Sequence, residues 1–376
     1  MVFYILYIVL LLSIIAFSPT RYFVFSYIAL VSVIPGIVYC IIKNPSKILA
    51  CLLSLFIITA YSGWDNSLQL WEFGRRLPNQ EIIASESIWL LSFVSMKLVL
   101  SNKTLMLLQF PKRYFALFFI LGVLIMIQDT MGAGKAMNEG SNSVYYVLPV
   151  LPCVMCCYPK YRYHALILVI ALIVFSIKRS AFIIVFLMLL WLVFCVYKGI
   201  IKLKKSFIRV IFAGVTSLAI IGIWGIDYIG AILSRFEGIS EDGGSGRDLI
   251  FEYAWELFLQ TDIKHQLLGN GPRFFWASSQ NISAAHNDFL EIIISCGLVG
   301  VLLFAILHFL ILRILCFFVN RKSDMAIPMG VCYFTFIVWN LIACQFAYQS
   351  PTVPTFMFIS LAEYCYEKEK NTLYCN

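Results

Sequence analysis

The chain is short of charge. Asp, Glu, Lys and Arg make up 13% of its 376 residues against about a quarter in soluble globules, while 61% are hydrophobic. That balance excludes a water-soluble enzyme. Polar interruptions are also scarce, and about twelve stretches approach the roughly 20 apolar residues that carry a helix across a bilayer. They are 2–17, 22–42, 48–63, 82–100, 114–130, 143–157, 164–178, 180–197, 208–231, 288–312, 326–346 and 352–366. None alternates apolar and polar residues over ten-residue segments, which excludes a transmembrane β-barrel. Missing too are a Walker loop, an HExxH, a GxSxG and a paired D-x-D. Phosphate-loop nucleotide hydrolysis, zinc proteolysis, nucleophile-elbow ester hydrolysis and metal-bound sugar nucleotides lose their usual signatures, and no metal or other cofactor is implied.

What remains is an all-α polytopic membrane protein with about twelve transmembrane helices, read as a single integral membrane domain over 1–376. The first apolar stretch lacks a basic start and a small-residue cleavage site, so it is expected to stay as a helix. The twelve cysteines fall in or beside apolar runs, apart from Cys375 in the tail. Cys153, Cys156 and Cys157 resemble half a metal site, but no second pair accompanies them, and small core residues are the better reading.

Orientation follows from the basic residues of alternate loops. With the N-terminus inside, one set of loops holds 18 of the 28 lysines and arginines, among them Lys97, Lys112, Arg113, Lys198, Arg321 and Lys322. The opposite set holds ten, four of them in a single long loop that crosses regardless of charge. Both termini are therefore expected in the cytoplasm. The net charge of +8 is a topology signal facing anionic lipid and does not argue for nucleic acid.

The long loop, 232–287, is expected outside, with two lesser loops at 63–81 and 130–143. It contains "RDLIFEYAWELFLQ" (247–260), whose Phe251, Ala254, Trp255 and Phe258 share one helical stripe and Asp248, Glu252 and Glu256 another, a pattern for a helix in the membrane interface. Before it, "EDGGSG" (241–246) predicts a glycine turn offering backbone N–H groups. Arg247 then stands where the helix dipole disfavours a cation unless an anion is present, although pairing with Asp248, Glu241 or Asp242 would also satisfy it. A second glycine turn, "LLGNGPRFFW" (267–276), carries Arg273. His286, Asn287 and Asp288 stand where the chain re-enters the membrane, and the imidazole is the obvious proton acceptor, though a histidine there is more often an interface filler. Lys178 and Arg179 sit between two apolar runs on the same face, explained either by snorkelling or by function.

In order and spacing these signals resemble the O-antigen ligases and O-antigen polymerases. An S-x-x-R element opens a helix near the middle (Ser176 to Ser180). A G-R pair (Gly246-Arg247) begins an aromatic helix with Trp255, followed by G-N-G (269–271). The loop closes with His286-Asn287, Leu290, Glu291 and a helix containing Gly297. These features cover about 175–305; the first 170 residues match only in hydropathy.

The resemblance implies a GT-C-like membrane glycosyltransferase of the bacterial inner membrane. It would move a glycan from an undecaprenyl-pyrophosphate-linked oligosaccharide to a sugar hydroxyl at the periplasmic face, without metal or nucleotide. His286, Arg247 and Arg179 would be catalytic. Arg273, Gly246, Lys178, Asn287, Glu291, Arg75 and Arg76 would bind substrate, Glu291 being a second candidate proton acceptor. The lipid bilayer is a partner, and a chain-length regulator protein a candidate one. Polymerase, with a lipid-linked repeat unit as acceptor, is preferred to ligase, with lipid A core as acceptor. A lipid-linked oligosaccharide flippase or other transporter is less well supported, because the two halves do not repeat.

Overall fold

The computed structural model describes residues 23–65, 70–72, 75–77, 83, 87–131, 143–176, 179–202, 243–279, 285–342 and 349–374. The apolar stretches 2–17 and 208–231, the start of the long loop at 232–242 and Lys178 lie outside them. In chain order the elements are α1 (Phe23–Lys43), α2 (Lys47–Asp65), the strands β1 (Leu70–Glu72) and β2 (Arg75–Leu77), α3 (Ile88–Ser101), α4 (Lys103–Leu107), α5 (Phe110–Met131), α6 (Val144–Val147), α7 (Leu151–Cys157), a 3₁₀ turn (Pro159–Tyr161), α8 (Arg162–Ser176), α9 (Arg179–Tyr197), α10 (Gly243–Gln260), α11 (Ile263–Leu268), α12 (Phe274–Ser278), α13 (Asp288–Asn320), α14 (Ala326–Ile342) and α15 (Gln349–Tyr374). Ten of the twelve apolar stretches thus carry helix. Among the described residues, four helices are long and apolar enough to cross a membrane: Lys47–Trp64, Phe110–Gln128, Ser180–Tyr197 and Asp288–Asn320. This is an integral membrane protein built of helices, with one short antiparallel hairpin pairing Trp71 with Arg76 and Glu72 with Arg75.

The chain divides into two compact units, one of residues 1–108, 247–314 and 339–376, the other of 109–246 and 315–338. In the first, α3 is the central helix. Residues 88–100 are all buried apart from Lys97, as expected of a helix that is hydrophobic all round, and α15 and α1 pack on it. Lys97 escapes isolation by meeting Glu363 of α15 at 2.7 Å, and the other carboxylate oxygen accepts the Ser46 hydroxyl. Ser46 also caps α2 by accepting the Leu49 N–H.

The single helix expected over 288–312 is instead two, meeting at Gly297, whose φ of 66° and ψ of −169° are non-helical. Nineteen residues of straight helix would separate Phe289 from His308 by about 28 Å. Their rings instead lie 5.8 Å apart, and Phe289 also touches Phe304, so residues 288–296 double back along 298–320. The second half is about 34 Å long, close to the roughly 30 Å of bilayer hydrocarbon. Antiparallel to it runs α2, with the Cys51 thiol donating to the Leu303 carbonyl and Thr59 beside the Cys296 sulfur.

In the second unit, the helix expected over 143–157 is broken into α6 and α7 by the turn at Leu148–Val150, where Pro149 lacks an N–H. Cys153 is fully buried here, as a small core residue. Arg162, at the start of α8, is buried and meets Asp324 at 3.1 Å, and the Trp191 indole donates to the Ala326 carbonyl.

Candidate functional site

The glycines before Arg247 do not form a separate turn. Helix α10 begins at Gly243, so Gly243, Gly244, Ser245 and Gly246 are its first turn and Arg247 its fifth residue. The N–H groups expected from a loop become those of a helix start, which no carbonyl four residues back can satisfy. Moving inward also relieves Arg247 of the first-turn position where the dipole opposes it most. The guanidinium is half-buried and, among the described residues, forms no ion pair, not even with exposed Asp248.

The aromatic stripe is rotated relative to the sequence expectation. Ala254 and Phe258 are buried, joined by half-buried Ile250, Tyr253 and Leu257, whereas Trp255 is 48% exposed on the side of Glu252 and Glu256. The face is decided by what α10 packs on: Phe275 of α12, Ala285, and Ile293 and Ile294 of α13. The Tyr253 hydroxyl donates to the Ser278 carbonyl and fixes α12 against α10. One core cluster therefore joins the helix of Arg247, the segment after Arg273 and the residue preceding His286.

The G-N-G turn locks onto the break in α13. Once the helix stops at Gly297, the Ile294 and Ser295 carbonyls lose their helical donors, and the N–H groups of Asn270 and Gly271 replace them at 2.8 and 3.0 Å. The two backbones approach so closely that a Cβ on Gly269 would sit 2.2 Å from the Ser295 oxygen, and one on Gly297 2.3 Å from the Leu267 oxygen. Both glycines also have positive φ, 87° and 66°. Neither position tolerates a side chain. Upstream, Asp262 caps α11. The His265 N–H, and then the His265 ring, hold its exposed carboxyl below the ordinary aspartate range. Downstream, Arg273 has a φ of 60° at the start of α12, its guanidinium 5.7 Å from the centre of the Trp276 ring.

His286 lies half-buried in a bend, with a φ of 51° that a non-glycine residue adopts only when its neighbours hold it. Those neighbours do. The Asn287 carboxamide oxygen accepts the N–H groups of Phe289 and Leu290 and so caps α13, while its nitrogen donates to the Leu341 carbonyl of α14 at 3.1 Å. Buried Glu291 accepts the Ala285 N–H at 3.2 Å, and Asp288 is fully buried. Through Phe289, the turn lies beside the middle of the long apolar half of α13, not at its tip.

Arg247, Arg273, His286, Asn287 and Glu291 thus belong to one compact unit, and four of them lie on or beside elements of one core cluster. Arg179 is the first residue of α9, in the other unit, with its side chain outside the described set. Arg75 and Arg76 are placed by backbone only, in β2. Sequence reasoning missed the buried His308–Asn340 pair. The signal was present, as two polar residues inside apolar runs.

No curated protein matches the chain. Residues 164–305 match the family model described as O-antigen ligase, a segment that runs from the start of α8 past the doubled-back part of α13. Over those residues the chain is similar to the O-antigen ligase family, which supports the resemblance to the O-antigen polymerases and ligases.

Proposed function

We propose that the protein is an O-antigen polymerase. It transfers an undecaprenyl-pyrophosphate-linked glycan to the sugar hydroxyl of a second lipid-linked repeat unit at the periplasmic face of the bacterial inner membrane, using no metal. The observation that carries this reading is Arg247: a half-buried guanidinium without an ion pair among the described residues, on a helix sharing its core with the turn of His286. Such a cation is unfavourable until an anion arrives.

In the proposed reaction the acceptor hydroxyl oxygen attacks the anomeric carbon of the donor, and the bond from that carbon to the pyrophosphate oxygen breaks. The electron pair leaves with undecaprenyl pyrophosphate. Arg247 stabilises the charge gained there, strongly because the surroundings are low in dielectric, and Arg179 is a further catalytic candidate. His286 accepts the hydroxyl proton as the new glycosidic bond forms, and Glu291, Asn287 and Gly246 support substrate and turn. Arg273, Lys178, Arg75 and Arg76 are candidate contacts to donor or acceptor.

The ligase reading has the family description in its favour and shares the donor, differing in lipid A core as acceptor. A deletion strain separates the two. Loss of a polymerase leaves core capped with one repeat unit; loss of a ligase leaves bare core and stranded lipid-linked chains. The direct test is extension of a purified lipid-linked repeat unit by the purified protein with chelator present, where absence of any product removes the polymerase reading.

A further inference from the structure

The bend that carries His286 is gripped by groups hidden inside apolar runs. Phe289 lies nearly flat on the His308 imidazole, 5.8 Å between centres at 22°, and Phe304 closes the cage edge-on to both rings. Asn340 Nδ2 lies 3.0 Å from His308 Nε2, with His308 8% exposed and Asn340 fully buried. An amide nitrogen only donates, so in this contact Nε2 is the acceptor. One residue further, the Leu341 carbonyl holds the Asn287 side chain. Two arms, one aromatic and one hydrogen-bonded, therefore run from the same pair to residues 289 and 287, on the C-terminal side of His286.

A histidine and an asparagine buried among apolar helices are a poor way to gain stability, since two aliphatic side chains would fill the space without desolvating polar groups. The Asn340 carboxamide oxygen in fact has no hydrogen-bond partner among the described residues. What the polar pair supplies is direction: a flat ring for Phe289 and a fixed last turn of α14 for Asn287. His286 depends on such support because its backbone sits in the left-handed region.

We infer that His308 and Asn340 are positioning residues that set the orientation of His286 through Phe289 and Asn287. The inference rests on His286 being the proton acceptor of the proposed transfer, and its test can fail separately from that reading. Full-length protein in lipid nanodiscs would be prepared as wild type, His308→Leu, His308→Gln, Asn340→Leu and Asn287→Ala. Two properties are measured. The first is the rate at which diethyl pyrocarbonate modifies His286 between pH 5.5 and 8, read by peptide mass spectrometry, which resolves the four histidines of the chain. The second is kcat and KM for extension of a lipid-linked repeat unit.

His308→Leu, Asn340→Leu and Asn287→Ala should each displace the His286 modification profile and lower kcat about 10- to 100-fold with KM little changed, the scale of a misplaced reacting group. Glutamine at 308 keeps a flat amide for Phe289 and an acceptor for Asn340, and should restore most of both. A wild-type His286 profile in folded His308→Leu overturns the inference whatever the activity. Should the leucine variants fail to fold, Asn287→Ala decides, and a wild-type profile there overturns it equally. A displaced profile in a protein whose wild type extends nothing sinks the catalytic reading and leaves the positioning intact.

Discussion

Two half-hidden cations of the first unit have opposite surroundings. Lys97 is answered twice over, by Glu363 at 2.7 Å and by a Phe93 ring 5.5 Å from its nitrogen, with Ser46 completing the carboxylate. Arg247 has no ion pair among the described residues. A buried charge with its partner in place is structural: it ties α3, α2 and α15 together and has nothing left to offer a ligand. One without a partner is poised for an anion from elsewhere, and here it stands a turn into a helix whose first N–H groups point the same preference. Nor does length of side chain or local hydropathy distinguish them.

The largest effects should fall on the unpaired side. His286→Ala is expected to lower chain extension about 10²–10⁴-fold, as for loss of a general base. Arg247→Ala should remove most extension, and Arg247→Lys should not rescue it if two phosphate oxygens are gripped at once, because lysine offers a point charge where arginine offers a planar fork. In none of the three should the melting temperature move appreciably; a large drop in melting for Arg247→Ala would make it as structural as Lys97 and dissolve the contrast.

Next in size is the paired side, read in stability. Glu363→Ala leaves the Lys97 ammonium buried alone and should destabilise the protein by about 3–5 kcal/mol, measured by melting in nanodiscs, with extension per folded molecule unchanged. Replacing both partners, as Lys97→Met with Glu363→Leu, should recover most of that loss, since neither charge is then stranded. Failure of the double variant to recover would mean that Lys97 or Glu363 has a second task.

The smallest effect concerns Asp262, an exposed cap far from both cations. Its folded carboxyl titrates below the ordinary value, so its support for α11 is fully present above that value and is lost as the pH falls through the lowered one. Amide exchange at Ile263–Gln266 should therefore quicken on acidification into that range, and Asp262→Asn should flatten the response. An unchanged exchange rate in acid would remove the cap from the account.

Much of this was legible in the chain. Ten of the twelve apolar runs carry helix, because a backbone in hydrocarbon must satisfy its own hydrogen bonds and a helix does so within one segment. The exposed faces of Asp248, Glu252 and Glu256 followed from periodicity. Trp255 did not, because it lies on the border between the apolar stripe and the polar one, and only the neighbours of α10 choose which side is buried. The glycines at 243–246 were read as a turn from their conformational freedom, but freedom permits a helix as well.

Composition and local pattern by themselves determined an integral membrane protein, where its helices lie along the chain, and the order of residues that resembles the O-antigen enzymes. Tertiary structure alone decided that α13 doubles back at Gly297, that the G-N-G backbone replaces its lost helical donors, that Arg247 has no ion pair among the described residues, and that His308 and Asn340 stand behind the His286 turn. Each of these depends on groups between 15 and 54 residues apart meeting at hydrogen-bond or van der Waals distance, or failing to. Hydropathy and periodicity carry information over a few turns of chain, whereas such meetings are chosen by packing.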